Sequence, residues 1–143
     1  MPKENKIMVL FLCTGNSCRS QMAQGWANAL RSDDMIAFSA GTNPCKVSQR
    51  AMQVMGEAGV DISTHYSKHL DELPGLDFDY VITLCSNAKE NCPIFPGKAK
   101  VIHHGFEDPA AIIGTTDQVL NEFRRIRDEI KEFIINMNYV EDY

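Results

Sequence analysis

Residues 7–20 read IMVLFLCTGNSCRS, an apolar run that ends at Cys13 and is followed six positions later by Arg19. The run predicts a buried strand, and the residues after it predict a loop that leads into a helix. The backbone N–H groups of such a loop, together with the helix N-terminus, favour a bound anion. The Arg19 guanidinium adds a planar fork that can bind two oxygens of a tetrahedral oxyanion. Because the same field stabilises a thiolate, Cys13 is the predicted nucleophile toward that oxyanion.

The same stretch supplies the predicted oxyanion-binding residues. They are Thr14, Gly15, Asn16, Ser17, Cys18, Arg19 and Ser20. Gly15 permits a tight or left-handed turn, and the Ser20 hydroxyl can hydrogen-bond the sulfur of Cys13. The Cys18 side chain is expected to pack against the first helix in a structural role. The competing interpretation is that Cys13 is a small apolar residue buried at a strand end.

Length and composition restrict the kind of protein. With 143 residues the chain is long enough for a conventional core, and we expect one domain over residues 1–143. The net charge of -5 argues against nucleic acid as a partner. The longest apolar run is too short to span a bilayer, and no signal-peptide pattern accompanies it, so no membrane association is expected. The 5 cysteines, without export features, predict reduced thiols in the cytoplasm.

The rest of the chain alternates between strand and helix patterns. Further strands are predicted over residues 35–40, 80–84 and 99–103, and Ser48 and Thr115 are predicted helix N-caps. The first helix is predicted to carry Ala23, Trp26 and Leu30 on one face. The buried face of the last helix is predicted from Val119, Phe123, Ile126, Ile130, Phe133 and Met137. This alternation predicts an α/β fold, a parallel sheet with helices on both faces.

Side chains that can take part in catalysis or binding occur at the end of each predicted strand or after it. Cys13, Ser39, Cys85 and Asp108 stand at or after the ends of the first, second, third and fourth strands. Ligands of parallel sheets bind beyond the carboxyl ends of the strands. These residues are therefore expected to converge on one active site.

The stretch Cys13–Trp26 (CTGNSCRSQMAQGW) resembles the signature loop of the low-molecular-weight protein tyrosine phosphatase superfamily. It is more similar to the thioredoxin-coupled arsenate reductases that share this fold, because the phosphatases usually carry a bulky apolar residue where Asn16 and Ser17 stand here. The resemblance covers most of the chain and implies a three-layer fold with four parallel strands in the order 2-1-3-4. It implies reduction of arsenate to arsenite, with Cys13 as nucleophile and Arg19 as oxyanion ligand.

Cys85 and Cys92 lie seven positions apart. This spacing fits neither a zinc site nor the Cys-x-x-Cys redox motif. Ser86 or Asn87 could cap a short helix that Pro93 ends, and seven helical residues separate two Cα atoms by roughly 10 Å. A disulfide requires about 4.4 to 6.8 Å, so the segment would have to unwind to form one.

From the residues alone, two interpretations of Cys85 and Cys92 stay open: a functional pair, or two unrelated thiols. The resemblance implies that both are resolving cysteines, with Cys85 attacking Cys13 and Cys92 then attacking Cys85. It further implies that thioredoxin, or a thioredoxin-like reductant, reduces the final disulfide.

Asp108 is the predicted general acid, because expelling an unprotonated oxygen is slow near neutral pH. The resemblance places the family's acid at this residue, while Glu107 is the alternative and an ordinary Asp-Pro turn is another. Aromatic residues that frame a phosphotyrosine in related phosphatases are replaced here by Ala110 and Ala111.

Many reductases of this family hold a potassium ion through an asparagine, a glutamate, a serine and an aspartate. Asn16 and Ser39 match two of these positions, whereas Gln24 and Lys68 replace the two carboxylates. We therefore expect the Lys68 ammonium to support the loop in place of the ion, the alternative being a solvated surface lysine.

The expected partners are arsenate and a thioredoxin-like reductant, and the expected state is a monomer with no bound cofactor or metal. The four histidines lack ligand spacing with the cysteines, and Cys45 has no predicted partner. Two other functions stay open: a low-molecular-weight tyrosine phosphatase, and a thiol-based sensor of redox state or metalloids.

Overall fold

The computed structural model describes residues 6–73, 77–85 and 99–138. The strands in this part are β1 (Ile7–Cys13), β2 (Met35–Gly41), β3 (Tyr80–Thr83) and β4 (Lys100–His103). The α-helices in it are α1 (Arg19–Leu30), α2 (Gln49–Glu57) and α3 (Thr116–Asn136). Two short 3₁₀ turns span Leu70–Glu72 and Pro109–Ala111. The predicted α/β alternation is confirmed.

The four strands form one parallel sheet in the order β2-β1-β3-β4, which confirms the predicted topology. β1 pairs with β2 on one side and with β3 on the other, and its last five residues are buried. A strand buried on both faces needs apolar side chains at every position, which explains the uninterrupted apolar run before Cys13. Because β1 is a central strand, Cys13 lies near the middle of the side of the sheet where the strands have their carboxyl ends.

The two faces of the sheet are covered by different elements. Val9 and Phe11 point to the face on which α1, α2 and α3 share one core. Leu10 and Leu12 point to the opposite face and belong to a smaller cluster that residues around the turn Leu70–Glu72 pack against. Successive residues of a strand alternate between faces, so one apolar run supplies both cores.

The helix ends follow the predicted capping signals. The Ser48 side chain accepts the Ala51 N–H at the start of α2, and Gly59, in the left-handed region at φ 87°, lies just beyond its end. Thr115 and Gln118 form a reciprocal capping box at the start of α3, with hydrogen bonds of 2.9 and 3.1 Å. These caps satisfy backbone groups that the helix itself leaves without partners.

Two residues of the predicted faces are less buried than the others. Leu30 is 44% exposed, because α1 ends there and its buried residues lie earlier in the helix. In α3, Phe133 is only partly buried and Ile134 is fully buried. α1 and α3 are joined by the Trp26 indole, whose N–H donates to the Arg127 carbonyl at 3.1 Å. Among the described residues, no helix is long and apolar enough to cross a membrane.

Candidate active site

The loop between β1 and α1 is held from outside by the segment that follows β2. Backbone N–H groups of this segment donate to three loop carbonyls at 3.0 Å each: Asn43 to Thr14, Cys45 to Gly15, and Ser48 to Ser17. A peptide N–H points away from the carbonyl of the same plane. Because the carbonyls are bound on the outside, the N–H groups of the same peptides turn toward the interior of the loop.

Gly41, the last residue of β2, lies directly beneath this loop. A Cβ at this position would lie 2.4 Å from the Thr14 carbonyl oxygen and 3.0 Å from the Asn16 nitrogen. A side chain here would therefore displace the loop backbone, and glycine allows the close approach.

Asn16 occupies the left-handed region at φ 48°, which asparagine tolerates better than most residues. It is fully buried, and both ends of its side-chain amide are bonded. Nδ2 donates to the Ser20 hydroxyl at 2.8 Å, and Oδ1 accepts the Lys68 backbone N–H at 2.9 Å. The asparagine therefore connects the loop to both α1 and the segment before Leu70–Glu72.

The Cys13 thiol group lies at the base of the loop with a hydroxyl beside it. Its sulfur is 2.9 Å from the Ser20 oxygen, and the residue is 2% exposed. Because Ser20 accepts a hydrogen bond from Asn16, its own proton is available to the sulfur. The Ser20 hydroxyl, in the first turn of α1, can therefore donate a hydrogen bond to the Cys13 sulfur.

The Arg19 guanidinium is held by carbonyl oxygens of two other segments. Nη1 donates to Phe106 at 3.1 Å and to Leu84 at 3.4 Å. Nη2 lies 3.7 Å from a carboxylate oxygen of Asp108. The arginine is 4% exposed, so its planar fork is immobilised beside the loop rather than extended into solvent.

A cavity of about 470 Å³ opens at the loop. It is lined by Cys13, Thr14, Gly15, Ser17, Cys18, Arg19, Asn43, Cys45, Asp108 and Ala110. The structure thus brings together the predicted nucleophile, most of the predicted oxyanion loop and the predicted acid. Ala110 adds no aromatic ring to the wall.

The two acid candidates lie in different environments. Asp108 lines the cavity and is 36% exposed at its side chain, and its Oδ1 accepts the Ala110 N–H at 3.0 Å. Glu107 forms an ion pair with Arg125 at 2.8 Å and does not line the cavity. The geometry favours Asp108 over Glu107 as the acid.

Lys68 is buried beneath the loop, contrary to the alternative of a solvated lysine. It is 7% exposed, and its ammonium donates to the carbonyls of Ser39 at 3.0 Å and Tyr66 at 3.1 Å. Burial lowers the pKa of this ammonium from its ordinary value, and Glu72 opposes that shift. The Ser39 hydroxyl donates to the Gln24 amide oxygen. With an ammonium on these oxygens and no carboxylate among these groups, the residues present do not fit a potassium ion.

Cys85 lies two residues beyond the end of β3, the strand that pairs with β1, which ends at Cys13. Leu12 pairs with Thr83, and the Leu84 N–H donates to the Leu12 carbonyl at 2.9 Å, so Cys85 is one residue beyond the position opposite Cys13. It is fully buried and is not in a disulfide. The register therefore places both cysteines at the carboxyl ends of neighbouring strands, on the side of the sheet where the oxyanion loop lies. Cys92 lies outside the described residues, as does the helix predicted before Pro93.

The other two described cysteines differ in environment. Cys18 is 3% exposed in the main core, and burial raises the pKa of its thiol to about 11. Cys45 is exposed at the cavity mouth, and its sulfur lies 3.7 Å from the Gly15 carbonyl.

Several residues that hold the loop or line the cavity were not predicted from the sequence. Asn43 and Cys45 line the cavity, and Gln21 and Ser67 bind the Asn16 carbonyl. Their positions follow no periodic pattern, and the one available signal was that residues 42–48 continue from a strand whose end faces the site. Among the described residues, no cluster of three potential metal ligands occurs.

Comparison with known proteins places these features in a family. Residues 8–139 match the model of the low molecular weight phosphotyrosine protein phosphatase family. The chain is 46% identical over 127 residues to arsenate reductase 1 of Staphylococcus saprophyticus, covering 89% of this chain and 92% of that relative.

Solved structures agree with the sequence comparison. An arsenate reductase in the phosphate binding state superposes with a TM-score of 0.76 at 32% identity, covering 91% of this chain and 95% of the other. A thioredoxin-dependent arsenate reductase of Corynebacterium glutamicum gives a TM-score of 0.59 at 26% identity, covering 94% of this chain and 65% of that chain.

Proposed function

Because this chain belongs to the low molecular weight phosphotyrosine protein phosphatase family, and arsenate reductases are its similar relatives, we propose that it reduces arsenate to arsenite through a cysteine relay. The observation that supports the proposal is the register of β1 and β3, which places a second buried cysteine, Cys85, one residue beyond the position opposite Cys13, at the same end of the sheet. A phosphatase has no use for a second thiol at this place, whereas a reductase requires one.

In the first step arsenate enters the cavity and binds the loop N–H groups and Arg19. The Cys13 thiolate attacks arsenic and forms a sulfur–arsenic bond, and one arsenate oxygen departs. Asp108 gives its proton to that oxygen, so the leaving group is hydroxide protonated to water. Ser20 stabilises the thiolate before the attack through its 2.9 Å contact with the sulfur.

In the second step the thiolate of Cys85 attacks the sulfur of Cys13. A disulfide forms between the two cysteines, and the electron pair of the broken sulfur–arsenic bond passes to arsenic. Arsenic is thereby reduced from the +5 to the +3 state and leaves as arsenite. The two cysteines supply both electrons, so no further cofactor is required for this step.

In the third step the thiolate of Cys92 attacks Cys85, which frees Cys13 and leaves a disulfide between Cys85 and Cys92. We infer that thioredoxin, or a similar dithiol protein, reduces this disulfide, as the name of the Corynebacterium relative says of that protein. The pair must then be more oxidising than thioredoxin, whose potential is roughly -270 mV. Such a cycle fits a monomer in a reducing cytoplasm and a role in arsenic detoxification.

Lys68 takes a supporting role in this proposal. Its ammonium joins the end of β2 to the segment that holds Asn16, through Ser39 and Tyr66. A tethered cation of this kind gives the loop a positive charge that does not depend on an ion in solution.

The decisive experiment is a coupled assay with thioredoxin, thioredoxin reductase and NADPH. Repeated arsenate-dependent oxidation of NADPH supports the reductase. A phosphatase consumes no NADPH, and a thiol-based sensor stops after one equivalent. Slow hydrolysis of an aryl phosphate is also expected, because the same loop and Asp108 can act on phosphate while Ala110 offers an aryl group no ring to stack on.

A further inference from the structure

The carbonyls of the oxyanion loop are held in two different ways. Those of Thr14, Gly15 and Ser17 accept main-chain N–H groups of residues 43–48, which any residue except proline provides. The carbonyl of Asn16 instead accepts side-chain donors. Within the described loop, this peptide is therefore the place where side-chain identity determines the backbone orientation.

Two side chains converge on the Asn16 carbonyl. The Ser67 hydroxyl donates at 2.7 Å, and Nε2 of Gln21 donates at 3.1 Å. Both come from outside the loop, Gln21 from the first turn of α1 and Ser67 from the segment before Leu70–Glu72. The left-handed backbone of Asn16 is thus held at its carbonyl as well as at its side chain.

The amide of Gln21 has a single workable orientation. Nε2 also donates to the Tyr66 carbonyl at 3.0 Å, and carbonyl oxygens can only accept, so the nitrogen must face both of them. Oε1 then faces Nδ1 of His65 at 3.0 Å, which must carry the imidazole proton. Burial, and secondarily the Lys68 charge, lowers the pKa of His65, which favours the neutral ring that donates here. Gln21 is fully buried, and both of its side-chain N–H groups are used to hold this segment and the loop.

We propose that Gln21, assisted by Ser67, is a positioning residue that turns the Ser17 N–H into the oxyanion cavity. The Asn16 carbonyl and the Ser17 N–H belong to one planar peptide and point in opposite directions. Fixing the carbonyl on the outside directs the N–H inward, and Ser17 lines the cavity. The inference rests on the proposed function only in taking the cavity as an oxyanion site.

The test measures the affinity for inorganic sulfate, a tetrahedral dianion whose charge does not change between pH 5 and pH 8. Gln21→Glu replaces the donor by a carboxylate oxygen that repels the Asn16 carbonyl, so the peptide rotates and one N–H is lost to the anion. We expect the dissociation constant to rise about tenfold to a hundredfold at pH 8. Calorimetry gives the constant, and protection of Cys13 from alkylation gives an independent value.

The pH dependence distinguishes positioning from general destabilisation. As the pH falls toward 5, the introduced carboxyl group takes up a proton and can donate a hydrogen bond again. The ratio of the variant's dissociation constant to that of wild type should then fall toward one. Wild type measured in parallel removes the contribution of Cys13. Because the introduced carboxylate would face Nδ1 of His65, with Lys68 nearby, both proteins are also measured with His65→Phe, so that no imidazolium can hold the carboxyl group ionised. A ratio that is constant with pH contradicts the proposal.

Two further variants keep the test decisive if Gln21→Glu folds poorly. Ser67→Ala removes the second donor and should weaken sulfate binding about threefold to tenfold, whereas Ser67→Thr keeps the hydroxyl and should bind as wild type does. The matched control is Asn28→Asp, which makes the same amide-to-carboxylate change on α1. The Asn28 amide donates to the Ala37 carbonyl at 3.2 Å, and Asn28 does not line the cavity.

The control should lower the melting temperature without changing sulfate affinity. If the Gln21 and Ser67 variants behave like the control, the positioning role is wrong, whatever the assay with arsenate shows. If instead wild type binds sulfate but turns over no arsenate, the proposed function fails and the positioning role stands.

Discussion

The guanidinium of Arg19 and the carboxylate of Asp108 lie side by side in the cavity wall, 3.7 Å apart, although they are 89 positions apart in the chain. Arg19 is held by the carbonyls of Leu84 and Phe106, so its second nitrogen is presented to the cavity. An oxyanion bound at the loop therefore lies beside both a fixed positive charge and a carboxyl group. This pairing of charge and proton source accounts for the first step of the proposed reaction.

Asp108→Asn should slow arsenate turnover by roughly 10² to 10⁴, the usual contribution of a general acid. The loss should be smaller for an aryl phosphate, whose leaving group needs less protonation. Glu107→Gln is the matched control, because Glu107 pairs with Arg125 away from the cavity, and it should keep nearly full activity. If the control is crippled and Asp108→Asn is harmless, the acid has been assigned to the wrong residue.

Cys13→Ser should abolish arsenate reduction while leaving sulfate binding largely intact, because a hydroxyl does not ionise at this site as a thiol does. Residual turnover above roughly one thousandth of wild type rejects Cys13 as the nucleophile. Arg19→Lys should also fail, since an ammonium cannot bind two oxygens and two backbone carbonyls with one planar group.

Cys92→Ser should reduce one equivalent of arsenate and then stop with Cys13 bonded to Cys85, as mass spectrometry of unreduced peptides can show. Wild type oxidised by arsenate should instead contain the disulfide between Cys85 and Cys92. Residues 86–92 should then exchange amide protons faster, because the bond cannot span the helix that the sequence predicts there. Repeated turnover of Cys92→Ser at the wild-type rate overturns the relay.

Lys68→Met should lower both the melting temperature and arsenate turnover, because it removes the ammonium that joins Ser39 to Tyr66. Lys46→Met, at an exposed position, is the control and should change neither. Potassium should not stimulate the wild-type enzyme, and strong activation in a potassium titration counts against the role of Lys68.

Cys18 gives a prediction about pH. Burial raises the pKa of its thiol from 9.0 to about 11, so between these values the unfolded chain releases this proton and the folded chain keeps it. The unfolded state then binds fewer protons, and stability falls as the pH rises through this window, by on the order of 2 to 3 kcal/mol.

Urea unfolding at pH 8 and pH 11 measures this effect, with Cys18→Ala as the comparison that should lack it. Iodoacetamide at pH 8 should label exposed Cys45 and spare Cys18. Equal labelling of the two thiols contradicts the assignment of Cys18 to the core.

Much of the fold could be predicted from the sequence because its signals are local. The apolar run before Cys13 gives a central strand, and Ser48 and Thr115 start helices through bonds to residues three positions away. The cysteine and arginine six positions apart indicate an oxyanion loop for the same reason, since strand, loop and helix follow one another in the chain. The apolar pattern did not predict that Leu30 is exposed, because periodicity does not show where along a helix the packing against the core ends.

What the sequence by itself determined is the chemistry of the loop, the alternation of strands and helices, and the helix starts. Only the tertiary structure decided what holds that loop: main-chain donors of residues 43–48, the buried amide of Gln21, and the Lys68 backbone N–H, which donates to the Asn16 side chain. It also distinguishes Asp108 from Glu107 by position, since one carboxylate lines the cavity and the other pairs with Arg125. These partners are 5 to 89 positions apart in sequence and meet because the sheet buries its strands in one register, a condition that no local pattern of residues records.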